Sequence, residues 1–258
     1  MIKHEEVNRL ARIGELLARN RWAEANAGNM SVRLDPKDLP PLNANGEIFP
    51  VNYRFPKLAG NLFLITGTGR RMRDLPRDPE SCLGLVEILD GGDRYRSIWG
   101  CGKVTSEFPA HLAIHDMCIA KRPEIRAVLH THPPHLIAMT HLPDMKNPDA
   151  VNSALRRVHP ETFILLPQGT VNFGYRIPGS MELGTATRDA LATRDTVLWS
   201  MHGIVSIAAD MDKAFDNVEI LEKAAQIYMM VLWAGQRFQG LSDDQIAETM
   251  AAFNIKTK

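Results

Sequence analysis

Apolar positions recur along this chain with two periods, and the switches between them mark out its elements. Val7, Leu10, Ile13 and Leu17 share one face at helical spacing and predict an amphipathic surface helix over residues 5–19. A small polar loop, AEANAGN, follows. The period then shortens to two at Met30, Val32 and Leu34, which predicts a short strand. Residues 36–57 are rich in Pro and Asn and read as a long excursion. Residues 62–65 predict a compact buried strand ending in Thr66-Gly67-Thr68-Gly69, and residues 78–82 a brief helical turn. The runs 83–89 and 94–99, separated by Asp90-Gly91-Gly92-Asp93, predict a hairpin. Thr105-Ser106 precede a helix over residues 107–120, with Pro109 tolerated in its first turn. Ala127-Val128-Leu129 lead a strand into His130-Thr131-His132, where Pro133-Pro134 stop it; a helix resumes near His135 and ends before Pro143. Residues 162–166 predict another buried strand, and Ser180 is the N-cap of a helix through Ala192. Residues 196–207 predict two strands hinged at His202-Gly203. Residues 213–233 predict a long helix with Phe215, Val218, Leu221 and Ala225 inward, and Ser242 with Gln245 form the capping box of a last helix. Strands and helices interleave without internal repeat or linker, which predicts one α/β domain over residues 1–258.

Composition narrows the class. Hydrophobic residues make up 45% of the chain and charged residues 23%, as in ordinary globular proteins. Thirty basic side chains balance thirty acidic ones, so no global field favours nucleic acid or an anionic membrane. The cluster Arg70, Arg71 and Arg73 reads as a solvated face. Cys82, Cys101 and Cys118 are odd in number, far apart and without a CxxC, which points to reduced thiols and away from a thiolate zinc site. The N-terminus is charged and amphipathic, unlike a signal peptide, and no apolar run is long enough to span a bilayer. The expectation is a soluble, cytoplasmic protein.

The candidate chemistry centres on the histidine strand. Side chains at i and i+2 project from the same face of a strand, so His130 and His132 point together and could share one cation. Two histidines at a strand end can equally cap loop carbonyls. His202, in an apolar strand–Gly turn, is the natural third ligand if the two strands pair, or else a hydrogen-bonded core histidine. Glu107 either complements the macrodipole of its helix or works beside a metal as ligand and acid/base. His111 and His115 follow one and two turns on; Glu-x-x-x-His is not the HExxH pattern, and both read as core or surface residues. Three small polar stretches, Asn26-Ala27-Gly28-Asn29, Thr66-Gly67-Thr68-Gly69 and Thr105-Ser106, each resemble a turn, but together they suggest a phosphate site.

In this order and spacing, GNMSVRLD, LITGTGRRM, TSEFPAH, VLHTHPPHLIAMT, LLPQGTV and WSMHGIV resemble the zinc-dependent class II aldolase/adducin family over residues 5–240, nearest its rhamnulose-phosphate-cleaving branch. The resemblance implies a three-layer α/β/α fold around a central, mostly antiparallel sheet, and a homotetramer with active sites near subunit boundaries. It implies one Zn2+ per subunit on His130, His132 and His202, with Glu107 as a resting ligand that leaves to exchange protons with substrate. It implies phosphate contacts from Asn29, Thr68, Gly69 and Ser106, with Asn26 and Thr105 beside them, and an acid/base at Glu161 ahead of the predicted strand at 162–166. The implied reaction is reversible cleavage of L-rhamnulose 1-phosphate to dihydroxyacetone phosphate and L-lactaldehyde. Cleavage of L-fuculose 1-phosphate, 4-epimerisation of L-ribulose 5-phosphate and a non-catalytic adducin-like scaffold are the alternatives.

Overall fold

The computed structural model describes residues 5–35 and 45–255; within the excursion expected at 36–57, residues 36–44 therefore lie outside the described residues. In chain order the elements are α1 (Glu5–Arg19), β1 (Asn29–Leu34), β2 (Ile48–Pro50), β3 (Leu62–Thr66), α2 (Pro79–Cys82), β4 (Leu83–Ile88), β5 (Arg94–Gly100), α3 (Phe108–Lys121), β6 (Ala127–Thr131), α4 (Pro134–Thr140), α5 (Ala150–Arg156), α6 (Glu161–Ile164), β7 (Thr170–Phe173), α7 (Met181–Leu191), β8 (Thr196–Trp199), β9 (Gly203–Ala208), α8 (Met211–Trp233) and α9 (Asp243–Ala252). The strands form one sheet in the order β2-β5-β4-β3-β1-β6-β9-β8-β7. Its neighbours are antiparallel except the pair β7 and β8.

Side-chain parity explains the layers. On β1, Met30, Val32 and Leu34 pack with Leu10, Ile13 and Leu17 of α1 and with Phe215 and Val218 of α8. On β3 and β6 the neighbours alternate: Leu62, Leu64 and Leu129 join that layer, whereas Phe63 and Ile65 meet Leu112 of α3, and Val128 meets Ile114 and Met117 of α3 and Leu183 of α7. Helices thus cover both faces of an α/β sheet, so its central strands are buried on both sides. This is why β1, whose apolar residues alternate at Met30, Val32 and Leu34, also buries Ser31 completely.

The expected strand at 162–166 is instead helical: residues 161–164 form α6, and the buried strand of this region is β7. Pro160 sits at φ −60 and ψ −35, the helical region its ring favours. The Thr162 hydroxyl donates to the His159 carbonyl at 2.8 Å, and Leu165 is left 45% exposed. A four-residue apolar run has no period that separates strand from helical turn. Strand β2 and helix α5, both short, have no counterpart in the sequence reading.

Two contacts position the histidine strand. Glu222 of α8 accepts from the backbone N–H of His135 at 3.1 Å and of Leu136 at 2.9 Å, capping α4, which has no cap of its own. The His132 N–H and the Thr131 hydroxyl both donate to the Trp22 carbonyl, at 2.8 and 2.6 Å, and so tie the loop before β1 to the end of β6.

Candidate active site

A predominantly polar cavity of about 170 Å³ opens where β1 starts and β3 and β6 end; residues 26–29, 67–69 and 105–107 wall it together with His130, His132 and His202. A larger hollow of about 510 Å³ lies against Arg70, Arg71 and Arg77, but Arg77 is paired with Asp74 and no imidazole reaches it. We therefore centre the site on the smaller cavity.

Strand pairing assembles the imidazoles. Thr131 of β6 is opposite Ile204 of β9, which sets His202, one residue ahead of β9, beside the end of the His130-Thr131-His132 run. Met201 turns the chain there at φ 60, and the His202 N–H closes the turn on the Trp199 carbonyl. Gly203 permits the approach: a Cβ there would lie 2.4 Å from the Thr131 carbonyl oxygen and 2.9 Å from the His132 ring. The three ring centroids end up 5.0, 5.0 and 5.1 Å apart, with one nitrogen of each within 4.8 Å of the others.

Hydrogen-bond partners set the tautomers of two of these rings. His130 Nδ1 faces the Ile204 carbonyl at 3.0 Å, and an oxygen that can only accept requires Nδ1–H. His132 Nδ1 faces the Glu24 carboxylate at 2.9 Å; although burial works against its charge, this bond and the neighbouring imidazole hold the Glu24 carboxyl below its ordinary pKa, so Nδ1 again carries the hydrogen. In neutral rings both Nε2 atoms then hold lone pairs, and they confront each other at 3.2 Å. Burial, with His132 and His202 adding to it, pushes the His130 pKa well below its ordinary value; burial and His132 also lower that of His202. A proton is therefore a poor bridge between them, while neutral imidazoles suit a divalent cation. His202 Nδ1 is also buried with no hydrogen-bond partner among the described residues.

Glu107 stands at the N-cap position of α3, yet its side chain caps nothing. It turns into the cavity, where Oε2 accepts from Asn29 Nδ2 at 3.0 Å. It is not part of the compact group of three nitrogens. Around it, the backbone N–H groups of Thr68 and Thr105 are spent on the carbonyls of Lys103 and Thr66. The Thr68 and Ser106 hydroxyls and the Gly69 N–H have no hydrogen bond among the described residues, and Gly69 sits at φ 67, which its missing Cβ allows.

All the candidate residues from the sequence except one thus line one cavity: His130, His132, His202, Glu107, Asn26, Asn29, Thr68, Gly69, Thr105 and Ser106. Glu161 does not; it is exposed on α6 and accepts from His159 Nδ1 at 2.7 Å. The sequence reading passed over Glu24, whose only signal is its place in the AEANAGN loop, and left His111 as a core or surface residue. His111 is buried and hydrogen-bonded to both Asn29 and Ser31.

Burial, with His130 adding to it and Glu107 opposing, takes the His111 pKa from 6.5 to about 4. Below pH 6.5 the unfolded chain gains a proton there that the folded chain refuses, so stability falls as pH drops toward 4. The expected loss from this residue is about 3 kcal/mol. Urea unfolding of metal-free protein from pH 7 to pH 4 measures it, and His111→Gln removes that part of the pH dependence.

The profile of the Class II Aldolase and Adducin N-terminal domain matches residues 8–229. Rhamnulose-1-phosphate aldolase of Bacteroides thetaiotaomicron is 34% identical over 255 residues, 97% of this chain and 95% of that one. Rhamnulose-1-phosphate aldolase of Listeria monocytogenes is 30% identical over 258 residues, covering 98% and 94%. A sugar-phosphate aldolase of Thermotoga maritima, known from its crystal structure, superposes with a TM-score of 0.81 at 37% identity over 92% of this chain and 98% of that one. With sequence and fold matching over most of its length, the chain belongs to the class II aldolase and adducin family.

Proposed function

We propose that this protein, as a single domain over residues 1–258, reversibly cleaves L-rhamnulose 1-phosphate to dihydroxyacetone phosphate and L-lactaldehyde, with one Zn2+ per subunit. The observation that carries the reading is the head-on approach of His130 and His132 Nε2 at 3.2 Å, within the cavity that also holds Glu107 and the three small polar loops. His130, His132 and His202 would hold the ion, with Glu107 as its resting fourth ligand. Such an ion supplies Lewis-acid stabilisation of the negative charge that develops as C3–C4 breaks.

The rest falls to the chain itself. Carbon C3 must gain a proton once the bond has broken, and lose it again in the condensation direction. Glu107, which faces the cavity, is the group for that transfer. The C4 hydroxyl must lose its proton as C4 becomes the aldehyde. Glu161, exposed and away from its own cavity, would take it in the site of a neighbouring copy of a homotetramer. Asn26, Asn29, Thr68, Gly69, Thr105 and Ser106 would hold the phosphate, so that binding far from the reacting bond orients it. No lysine is needed for a Schiff base. The choice of sugar rests on the relatives that bear that name. No helix among the described residues is long and apolar enough to cross a membrane, which accords with work in the cytoplasm.

The test is release of aldehyde from a panel of ketose 1-phosphates before chelation, after it, and after restoring zinc. Cleavage is expected to be greatest with L-rhamnulose 1-phosphate, to vanish on chelation and to return with the metal. Full activity in stripped protein would contradict the reading, and an epimerised sugar phosphate in place of free aldehyde would redirect it to 4-epimerase chemistry.

Glu24 gives a milder prediction. A carboxylate on the far nitrogen of a ligating histidine fixes its tautomer and raises its basicity. Glu24→Gln should weaken metal binding by roughly 10- to 100-fold, read by competition with a chromogenic chelator, and leave the fold intact because Glu24 is exposed.

A further inference from the structure

Behind Glu107 a line of hydrogen bonds runs from the cavity into the core, and each member dictates the state of the next. A carboxylate oxygen accepts, so Asn29 Nδ2 donates to Glu107 at 3.0 Å. Asn29 Oδ1 then faces His111 Nε2 at 2.5 Å, and an amide oxygen also only accepts, so His111 carries its hydrogen on Nε2. In the neutral ring His111 Nδ1 is bare and takes the Ser31 hydroxyl hydrogen at 2.7 Å. The Ser31 oxygen accepts in turn from His115 Nε2–H at 2.9 Å. The line ends at His115 Nδ1, buried without a partner among the described residues, where a bare lone pair costs less than a stranded N–H.

The reverse order fails at several points. Turning the Asn29 amide over sets its oxygen against the Glu107 carboxylate. It also forces His111 to carry its hydrogen on Nδ1, after which either the Ser31 hydroxyl donates to His115 Nε2 and strands the buried His115 Nδ1–H, or Ser31 accepts from both rings and strands its own hydrogen. Ser31 and Asn29 lie two apart on β1, on the face toward α3, while Glu107, His111 and His115 follow one another at four-residue spacing along that helix. One strand face and one helix face thus supply the entire line.

We propose that His111, Ser31 and His115 form a positioning relay that locks Asn29 with its N–H toward the cavity and so holds the Glu107 carboxylate in place for proton transfer at C3. The inference rests on Glu107 having the role given above. None of the three relay residues lines the cavity, so they act through Asn29.

The experiment has two arms on the zinc-loaded protein. Long-range 1H–15N correlation of the imidazoles should show His111 and His115 as Nε2–H tautomers; an Nδ1–H signal from His111 overturns the relay whatever the activity. In the second arm, His111→Leu, His111→Gln and Ser31→Ala are compared at equal metal content. The readouts are aldehyde release and solvent exchange of the C3 hydrogen of dihydroxyacetone phosphate without aldehyde. His111→Leu and Ser31→Ala should lower kcat and the exchange rate together by roughly 10- to 100-fold, with KM changing less than kcat. His111→Gln, which keeps a donor and an acceptor, should recover most of the loss. Unchanged exchange in both His111→Leu and Ser31→Ala, or losses that track zinc content alone, overturns the proposal. Wild-type protein that exchanges no C3 hydrogen overturns the role of Glu107 instead, and the tautomers still decide the relay.

Discussion

His132→Ala should leave the protein unable to retain a divalent ion through dialysis and should slow aldol cleavage by about a thousandfold or more, roughly 4 kcal/mol of barrier. His132 is the informative member of the trio. His130 is 2% exposed and packs 4.5 Å from the Trp199 ring, so its removal would disturb the core as well. Loss of the His132 ring opens one side of the cluster and frees His130 Nε2 from the facing lone pair of His132. Metal-free His132→Ala should therefore melt close to metal-free wild type, within about 1 kcal/mol. The contrast appears on adding zinc. Wild-type protein gains about 4 kcal/mol at a thousand times the dissociation constant, while the variant's melting temperature stays put. Calorimetry with and without zinc, beside elemental analysis, reads both effects. Stoichiometric zinc in the variant would break the link between the imidazoles and the chemistry.

Glu107→Ala, assayed with zinc in excess so that occupancy is not limiting, should lower kcat by roughly 100- to 10,000-fold, the usual worth of a positioned acid/base. Stability should hardly change, because the Glu107 side chain caps no donor of α3, and a carboxylate near a helix start contributes about 0.3–1 kcal/mol through the macrodipole. Glu107→Gln separates charge from shape: it keeps the volume and an acceptor for Asn29 but cannot shuttle a proton. Its exchange of the dihydroxyacetone phosphate C3 hydrogen should be as slow as that of Glu107→Ala. Turnover near wild type in either variant, once zinc is restored, would remove the acid/base role and leave Glu107 as a ligand alone.

Much of the fold was legible because its elements declare themselves locally. Helix α1 shows a clean apolar stripe, α8 keeps Phe215, Val218 and Leu221 at helical spacing, and the side chains of Ser180 and Ser242 accept from Leu183 and Gln245 as their cap positions foretold. The strand expected at 162–166 is helical over its first part because the short apolar run 163–166 carries no usable period, and Pro160 together with the Thr162–His159 bond decided the matter. In the site, His130 and His132 could be paired from strand alternation alone. Their union with His202 depended on β6 meeting β9 in one register, with Gly203 leaving room for it.

By itself the amino-acid sequence determined the residue types and their short-range geometry: an i, i+2 histidine pair at a strand end, small residues at three turns, a carboxylate at a helix start. Family-specific motif order added the chemistry those residues serve in relatives. Only the tertiary structure decided which nitrogen of His130 and of His132 is free, that Glu24 holds the outer face of His132, and that Glu107 turns from its helix toward Asn29. The reason is physical. Periodicity records which face of an element is buried, whereas the protonation state of a ring and the direction of an amide depend on which donor or acceptor a distant segment brings within about 3 Å.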